Sequence, residues 1–231
     1  MPDSSLCLII MLRYPSPGKV KTRLSLDLGG ERSALIYACF VSRLLATCRR
    51  LDMDILPCCH PDHKLEDYQA WLGKSYRYMV QAKGDLGRKM EDAFHQAFEL
   101  GYFRVVLTGS DLPHLPLDYL LQAFDRLKDV QCVLGPARDG GYCLVGMNKN
   151  SFRAEIFRNI PWSTAGVLDL TLDVLKKLNM KTFILPEFYD IDTLNDLKEL
   201  FQAHGLKTDT PERLDLAIEA YLQDCLKFLR S

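Results

Sequence analysis

Short apolar runs alternate with stretches of helical period along almost the whole chain. The first run, residues 6–13, is nearly continuous in Leu, Ile and Met, as expected of a central strand buried on both faces. Further β-type runs fall at 53–59, 76–81, 103–107, 130–134, 142–147 and 181–185. Between and after them the spacing predicts helices at 32–50, 65–72, 86–100, 117–128, 164–178, 193–204 and 211–229. The 32–50 helix is expected to carry an apolar stripe that includes Leu35, Cys39, Leu44 and Leu45. This alternation is the pattern of βαβ units, hence an α/β protein with a mainly parallel sheet. No internal repeat and no Pro/Gly/Ser-rich linker divides the chain, so a single domain over 1–231 is expected. Its last helix, near 211–229, has Thr210 as N-cap and Pro211 at the first helical position.

Composition narrows the function. The 231 residues are 48% hydrophobic and 26% charged with a formal net charge of −1, which suits a globular protein with an ample core. Near-neutral charge argues against a general nucleic-acid or membrane-surface role. Any polyanion must therefore meet a local basic cluster. Of the eight cysteines, six (Cys7, Cys39, Cys48, Cys132, Cys143 and Cys225) stand singly in apolar segments, where free Cys behaves as a small hydrophobe. The apolar run at 6–12 is too short to span a bilayer and lacks a basic leader. A reducing cytoplasm is the expected location.

In open α/β sheets, ligands gather beyond the carboxyl ends of the strands, so polar residues after the apolar runs are the candidates. The first strand is followed by Pro15-Ser16-Pro17-Gly18-Lys19-Val20-Lys21-Thr22-Arg23-Leu24. Lys19, Lys21 and Arg23 alternate, so an extended loop would point all three the same way, a pattern suited to phosphate. The spacing is not that of a Walker A loop, and a solvated basic loop is the competing reading. The 103–107 strand opens into Thr108-Gly109-Ser110-Asp111, where Asp111 offers a hard oxygen to Mg²⁺ or Mn²⁺ or caps a turn. In Asp190-Ile191-Asp192-Thr193 the two carboxylates share a side if extended. Thr193 is expected to cap the next helix, with Asp196 favourable in its first turn.

Gly84-Asp85-Leu86-Gly87 lies between a strand and a helix. It either admits a nucleobase edge to the main chain or is a turn with Asp85 as N-cap. Residues 135–142 read as a tight turn between strands, with Arg138 and Asp139 at the tip either contacting an acceptor or transferred group or belonging to a plain hairpin, the main competing reading. Ser163 or Thr164 is expected to cap the 164–178 helix, beside Trp162, which could also wall a sugar or base. Cys58-Cys59-His60-Pro61-Asp62-His63 lacks the second ligand pair of a zinc site and reads as a strand end followed by a helix start. His95, His114 and His204 are expected at the surface.

Five motifs occur in order: Arg13-Tyr14-Pro15 to Leu24, Gly84 to Gly87, Gly109-Ser110-Asp111-Leu112-Pro113, Asp139-Gly140-Gly141-Tyr142 and Asp190-Ile191-Asp192-Thr193. Together they resemble the DUF2064 family of GT-A-like glycosyltransferases in the nucleotide-diphospho-sugar transferase superfamily. The resemblance implies a GT-A Rossmann-like three-layer α/β/α sandwich with a mainly parallel mixed sheet. It implies that Lys19, Lys21, Thr22 and Arg23 hold phosphates, that Gly84, Asp85 and Gly87 meet the base, and that Asp111 and Asp192 bind a divalent metal. Arg138 and Asp139 would stand at the reacting centre. The implied ligands are a nucleotide sugar or nucleoside triphosphate and a small-molecule acceptor. The reaction is glycosyl transfer, or nucleotidyl transfer with pyrophosphate release, since the same motifs resemble phospholactate guanylyltransferases. A non-catalytic nucleotide-binding protein is the third reading. The base, the acceptor and the oligomeric state are not encoded in these motifs.

Overall fold

The computed structural model describes residues 5–229, the last four of them by their backbone alone. In chain order they form β1 (Leu6–Leu12), α1 (Thr22–Leu28), α2 (Gly30–Cys48), β2 (Asp54–Cys59), α3 (Leu65–Leu72), β3 (Met79–Val80) and α4 (Leu86–Glu99). Then come β4 (Arg104–Gly109), α5 (Leu117–Arg126), β5 (Cys132–Pro136), β6 (Tyr142–Asn148), α6 (Val167–Lys177), β7 (Thr182–Ile184), α7 (Leu194–Ala203) and α8 (Pro211–Leu229). Two short 3₁₀ turns, Lys149–Ser151 and Ala154–Phe157, connect β6 to α6. The chain divides into two compact units. One comprises the chain up to Leu12, Arg49–Gly109 and Pro116–Tyr189; the other comprises Arg13–Cys48, Ser110–Leu115 and the chain from Asp190.

The first unit holds the sheet, in the order β3-β2-β1-β4-β6-β5-β7. β1 pairs in parallel with β2 and β4, setting Ile9 beside Leu56 and Leu107. β6 alone runs antiparallel, to β4 and to β5, while β5 and β7 are parallel. Cys7 to Ile10 are fully buried, as the continuous apolar run of β1 requires of a strand covered on both faces. The main apolar cluster joins Ile9, Leu56, Leu107 and Val145 of the sheet to Met90, Phe94 and Phe98 of α4. Phe94 packs its ring 5.7 Å from Phe157 and 5.6 Å from Phe152.

In the second unit α2 packs on α8. Arg43 reaches Asp224 at 2.8 Å and its guanidinium lies 5.0 Å over the Tyr221 ring. Tyr221 in turn meets Phe40 and Phe201 at 6.2 and 5.3 Å. Gly29, at φ 80°, makes the bend between α1 and α2, a conformation open to glycine without a Cβ penalty.

Several sequence expectations change. The basic loop is not extended to Leu24, because α1 starts at Thr22 and Lys21 is left-handed (φ 48°, ψ 48°). Leu35 is 57% exposed, so it lies off the α2 stripe. The 76–81 strand shrinks to Met79–Val80. The 164–178 helix begins only at Val167, with Gly166 at its N-cap, so neither Ser163 nor Thr164 caps it; Thr164 Oγ1 instead donates back to Pro161 O at 2.8 Å. His114 is half-buried rather than on the surface. The expected caps at Asp85, Thr193 and Thr210 form. All eight cysteines are free thiols.

Candidate metal and phosphate site

The second unit brings one lysine and three aspartates together. Lys21 precedes α1, and its carbonyl accepts from Ser25 N (2.8 Å) and Ser25 Oγ (2.9 Å). Its side chain, 2% exposed, places Nζ 2.6 Å from Asp111 Oδ2 and 2.7 Å from Asp192 Oδ1. A left-handed conformation costs a non-glycine residue about 1–2 kcal/mol, and these two charge-assisted contacts are strong enough to hold it.

Each carboxylate is placed by its own backbone. Asp111 O accepts from Ile191 N at 3.1 Å, which ties the two acidic segments together. Ile191 is fully buried, so the extended alternation turns Asp190 and Asp192 to the other side. Asp196 Oδ2 accepts from Asp192 N, Thr193 N and Thr193 Oγ1 at 3.1, 2.7 and 2.8 Å, fixing the start of α7. Ser110 Oγ pairs with Tyr37 Oη at 2.9 Å, and Tyr37 Oη accepts from Arg13 N at 3.0 Å.

Ligand atoms of Asp111, Asp190 and Asp192 lie within 4.8 Å of one another, a group that could hold a metal ion. Asp111 Oδ1 is buried and has no hydrogen-bond partner, a costly state for a carboxylate oxygen. Burial, then the neighbouring Asp192 charge, pushes the Asp190 carboxyl up to about 6, against the pull of the Lys21 ammonium. Burial pushes Lys21 down, but the charges of Asp111 and Asp192 outweigh it and its ammonium is held above the usual lysine range. One ammonium therefore pairs with two of the three carboxylates, and the group remains short of positive charge.

The rest of the basic loop is looser. Arg23 is 74% exposed and reaches Asp192 Oδ2 only at 3.6 Å. Lys19 and Thr22 are exposed, and Lys19 O accepts from Arg13 Nη1 at 3.4 Å. The three cations therefore do not share one direction, because Lys21 alone turns inward.

The other candidates belong to the first unit. Asp85 caps α4, accepting from Arg88 N at 2.8 Å. A Cβ on Gly87 would lie 2.2 Å from Phe157 O and 2.5 Å from Trp162 Nε1, so packing by itself already requires a glycine there. The β5–β6 turn closes through Ala137 N to Gly141 O at 3.0 Å, and Asp139 Oδ1 accepts from Gly141 N at 2.9 Å. Arg138 stacks 4.2 Å over the Tyr189 ring. In the 58–63 segment Cys58 and Cys59 are buried, and His60 Nδ1 lies 3.0 Å from Asp62 Oδ1. The aspartate trio is the one metal-competent group among the described residues.

Asp190 joins Asp111 and Asp192, the two metal ligands expected from the motifs. The signal for Asp190 was the two-residue spacing around Ile191.

The fold built on this sheet order is shared with nucleotide-utilising transferases. A 4-diphosphocytidyl-2C-methyl-D-erythritol synthase from Anaerococcus prevotii DSM 20548 superimposes with a TM-score of 0.58 at 12% identity, covering 88% of this chain and 99% of that one. Rv0371C from Mycobacterium tuberculosis H37Rv, solved with manganese, gives 0.54 at 11% identity over 87% and 100%. These two likenesses are of fold alone. A protein from Desulfovibrio desulfuricans G20, named provisionally as a nucleotide-diphospho-sugar transferase, gives a TM-score of 0.86 at 35% identity over 98% of this chain and 97% of that one. No curated protein matches the chain. Residues 44–164 match the family described as "Uncharacterized protein conserved in bacteria (DUF2064)", and the chain belongs to that family. No helix among the described residues is long and apolar enough to cross a membrane.

Proposed function

We propose that this protein is a transferase acting on a nucleotide-activated donor, with Mg²⁺ or Mn²⁺ held by Asp111, Asp190 and Asp192. The observation that carries the reading is the convergence of three carboxylates within 4.8 Å. Hard oxygen ligands suit these ions, and the unpartnered, buried Asp111 Oδ1 is a group that gains by coordination. When bound, the ion would supply Lewis-acid stabilisation of a leaving diphosphate. Lys21 and Arg23 would contribute positive charge toward phosphate, with Lys19 and Thr22 on the same loop. Gly84, Asp85 and Gly87 are assigned to the base, and Arg138 and Asp139 to the acceptor or transferred group, on their motifs. The whole chain is read as one transferase domain, since neither unit is a continuous stretch of it. A cytoplasmic location goes with nucleotide donors.

Glycosyl transfer from a nucleotide sugar is the leading reaction, supported by the 35%-identical relative named for that substrate class. Nucleotidyl transfer is the second, favoured by a buried lysine among the carboxylates. A cation there suits charge that spreads over a transferring phosphoryl group. The test is product analysis with Mn²⁺, a panel of nucleotide sugars and triphosphates, and small hydroxyl and phosphate acceptors. Release of nucleoside diphosphate from a nucleotide sugar supports the first reaction, and pyrophosphate from a triphosphate supports the second. Tight nucleotide binding with no turnover on any acceptor points to the non-catalytic reading.

A further inference from the structure

The position of Lys21 goes further than its assignment to phosphate. Its ammonium lies 2.6 and 2.7 Å from oxygens of Asp111 and Asp192, two of the three groups that would ligate the ion. Contacts this short fill one coordination direction on each carboxylate. The side chain is 2% exposed, so water cannot easily replace it. The residue is also held left-handed, at φ 48°, a conformation that side chains adopt when surrounding contacts impose it and that recurs at switching segments.

We propose that Lys21 is the resident counter-ion of the aspartate group, and that the lysine and a divalent ion exclude each other there. The inference rests on the reading that these carboxylates take a divalent ion. The free protein would then have part of the group's charge already compensated and bind the ion weakly by itself. A phosphorylated donor would offer the displaced ammonium a new partner, so that ion and donor bind each more tightly in the other's presence. Metal occupancy would thus be gated by substrate rather than set by the ion's concentration alone.

Titration of Mn²⁺, followed by the electron paramagnetic resonance of the free ion, tests this on the full chain without nucleotide. Lys21→Met should bind Mn²⁺ about ten- to a hundredfold more tightly than the wild type, the gain expected when a competing charge-assisted contact is removed. Equal or weaker binding by the variant would overturn the proposal while leaving the metal reading intact. Loss of Lys21 leaves the three carboxylates with only the exposed Arg23, 3.6 Å from Asp192, as a cation among the described residues, so the variant could fail to fold in the absence of metal. A second measurement therefore uses the unaltered protein: acetylation by a succinimidyl ester, read by mass spectrometry with exposed Lys19 as internal reference. Lys21 should label slowly alone and at least several-fold faster with saturating Mn²⁺; an unchanged ratio to Lys19 overturns the displacement. If Mn²⁺ binds neither protein, or binds Asp192→Asn as well as the wild type, the metal reading fails and takes this inference with it.

Discussion

Replacing Gly87 with Ala separates packing from ligand approach at the start of α4. Gly87 is the second residue of that helix and is buried, and on helix propensity alone Ala is preferred to Gly by about 1 kcal/mol. The surroundings oppose this. The new Cβ would stand 2.2 Å from Phe157 O and 2.5 Å from Trp162 Nε1, where ordinary contact begins at 3.4 Å. The carbonyl is backbone and the indole is wedged 6.0 Å from the Tyr142 ring, so neither is a free side-chain end that swings away. Overpacking of this kind costs about 1–3 kcal/mol and can exceed that. A contact of 2.2 Å with backbone belongs in the upper part of that range, about 2–3 kcal/mol, so after the gain in propensity the expected net effect is destabilisation by about 1–2 kcal/mol, a sign opposite to propensity. In a protein of this length that corresponds to a fall in Tm of roughly 2–8 °C. Urea unfolding followed by Trp fluorescence reads both the loss of stability and the altered surroundings of Trp162. A variant as stable as the wild type, or more stable, would refute the packing argument. If such a variant also lost nucleotide affinity, Gly87 would be kept for ligand approach instead.

Two further perturbations act elsewhere. Asp196→Ala removes the acceptor for Asp192 N, Thr193 N and Thr193 Oγ1. It should cost about 1 kcal/mol in urea titration as a lost cap and weaken Mn²⁺ binding about ten- to a hundredfold, as loss of a group that orients a ligand does; unchanged Mn²⁺ affinity would remove Asp196 from that role. Glu91 is buried and accepts from Arg158 Nη2 at 2.6 Å, and this contact holds its carboxyl below the usual range. A lowered folded-state pKa contributes stability that is present above the unfolded value and is lost as pH falls through the folded one. Glu91→Gln should therefore melt lower than the wild type at pH 7, with the gap closing as pH drops below the ordinary carboxylate range. A gap independent of pH would show that the ion pair does not set it.

The elements written in local pattern were legible. β1 announces itself as an uninterrupted apolar run, and α4 and α7 by caps at Asp85 and Thr193. The errors came where local pattern and tertiary demand conflict. Lys19, Lys21 and Arg23 alternate like a strand, yet the pair Leu24 and Leu28, four apart, belongs to a helix, and burial of Leu24 decides for α1. Lys21 turns inward because carboxylates from two distant segments need a cation, which no window around residue 21 contains. The helix expected from Thr164 begins three residues later, because Ser163 is left-handed (φ 68°) and Thr164 bonds back to Pro161. For the site, the spacing of Asp190 and Asp192 around Ile191 foretold their shared side. Their meeting with Asp111 depends on the Ile191 N to Asp111 O bond, a long-range contact. Asp85 and Asp139 also have local partners, Arg88 N and Gly141 N, so each has a structural role beside the ligand contact proposed for it.

The most direct test of the account is calorimetric titration of nucleoside diphosphates, with and without Mn²⁺, into the wild type and into Asp111→Asn and Asp192→Asn. The account predicts that at least one nucleoside diphosphate binds the wild type only when Mn²⁺ is present, and that both variants, still folded by melting temperature, lose that dependence. Nucleotide binding that is equally strong without Mn²⁺, or that keeps its Mn²⁺ dependence in the folded variants, would contradict it.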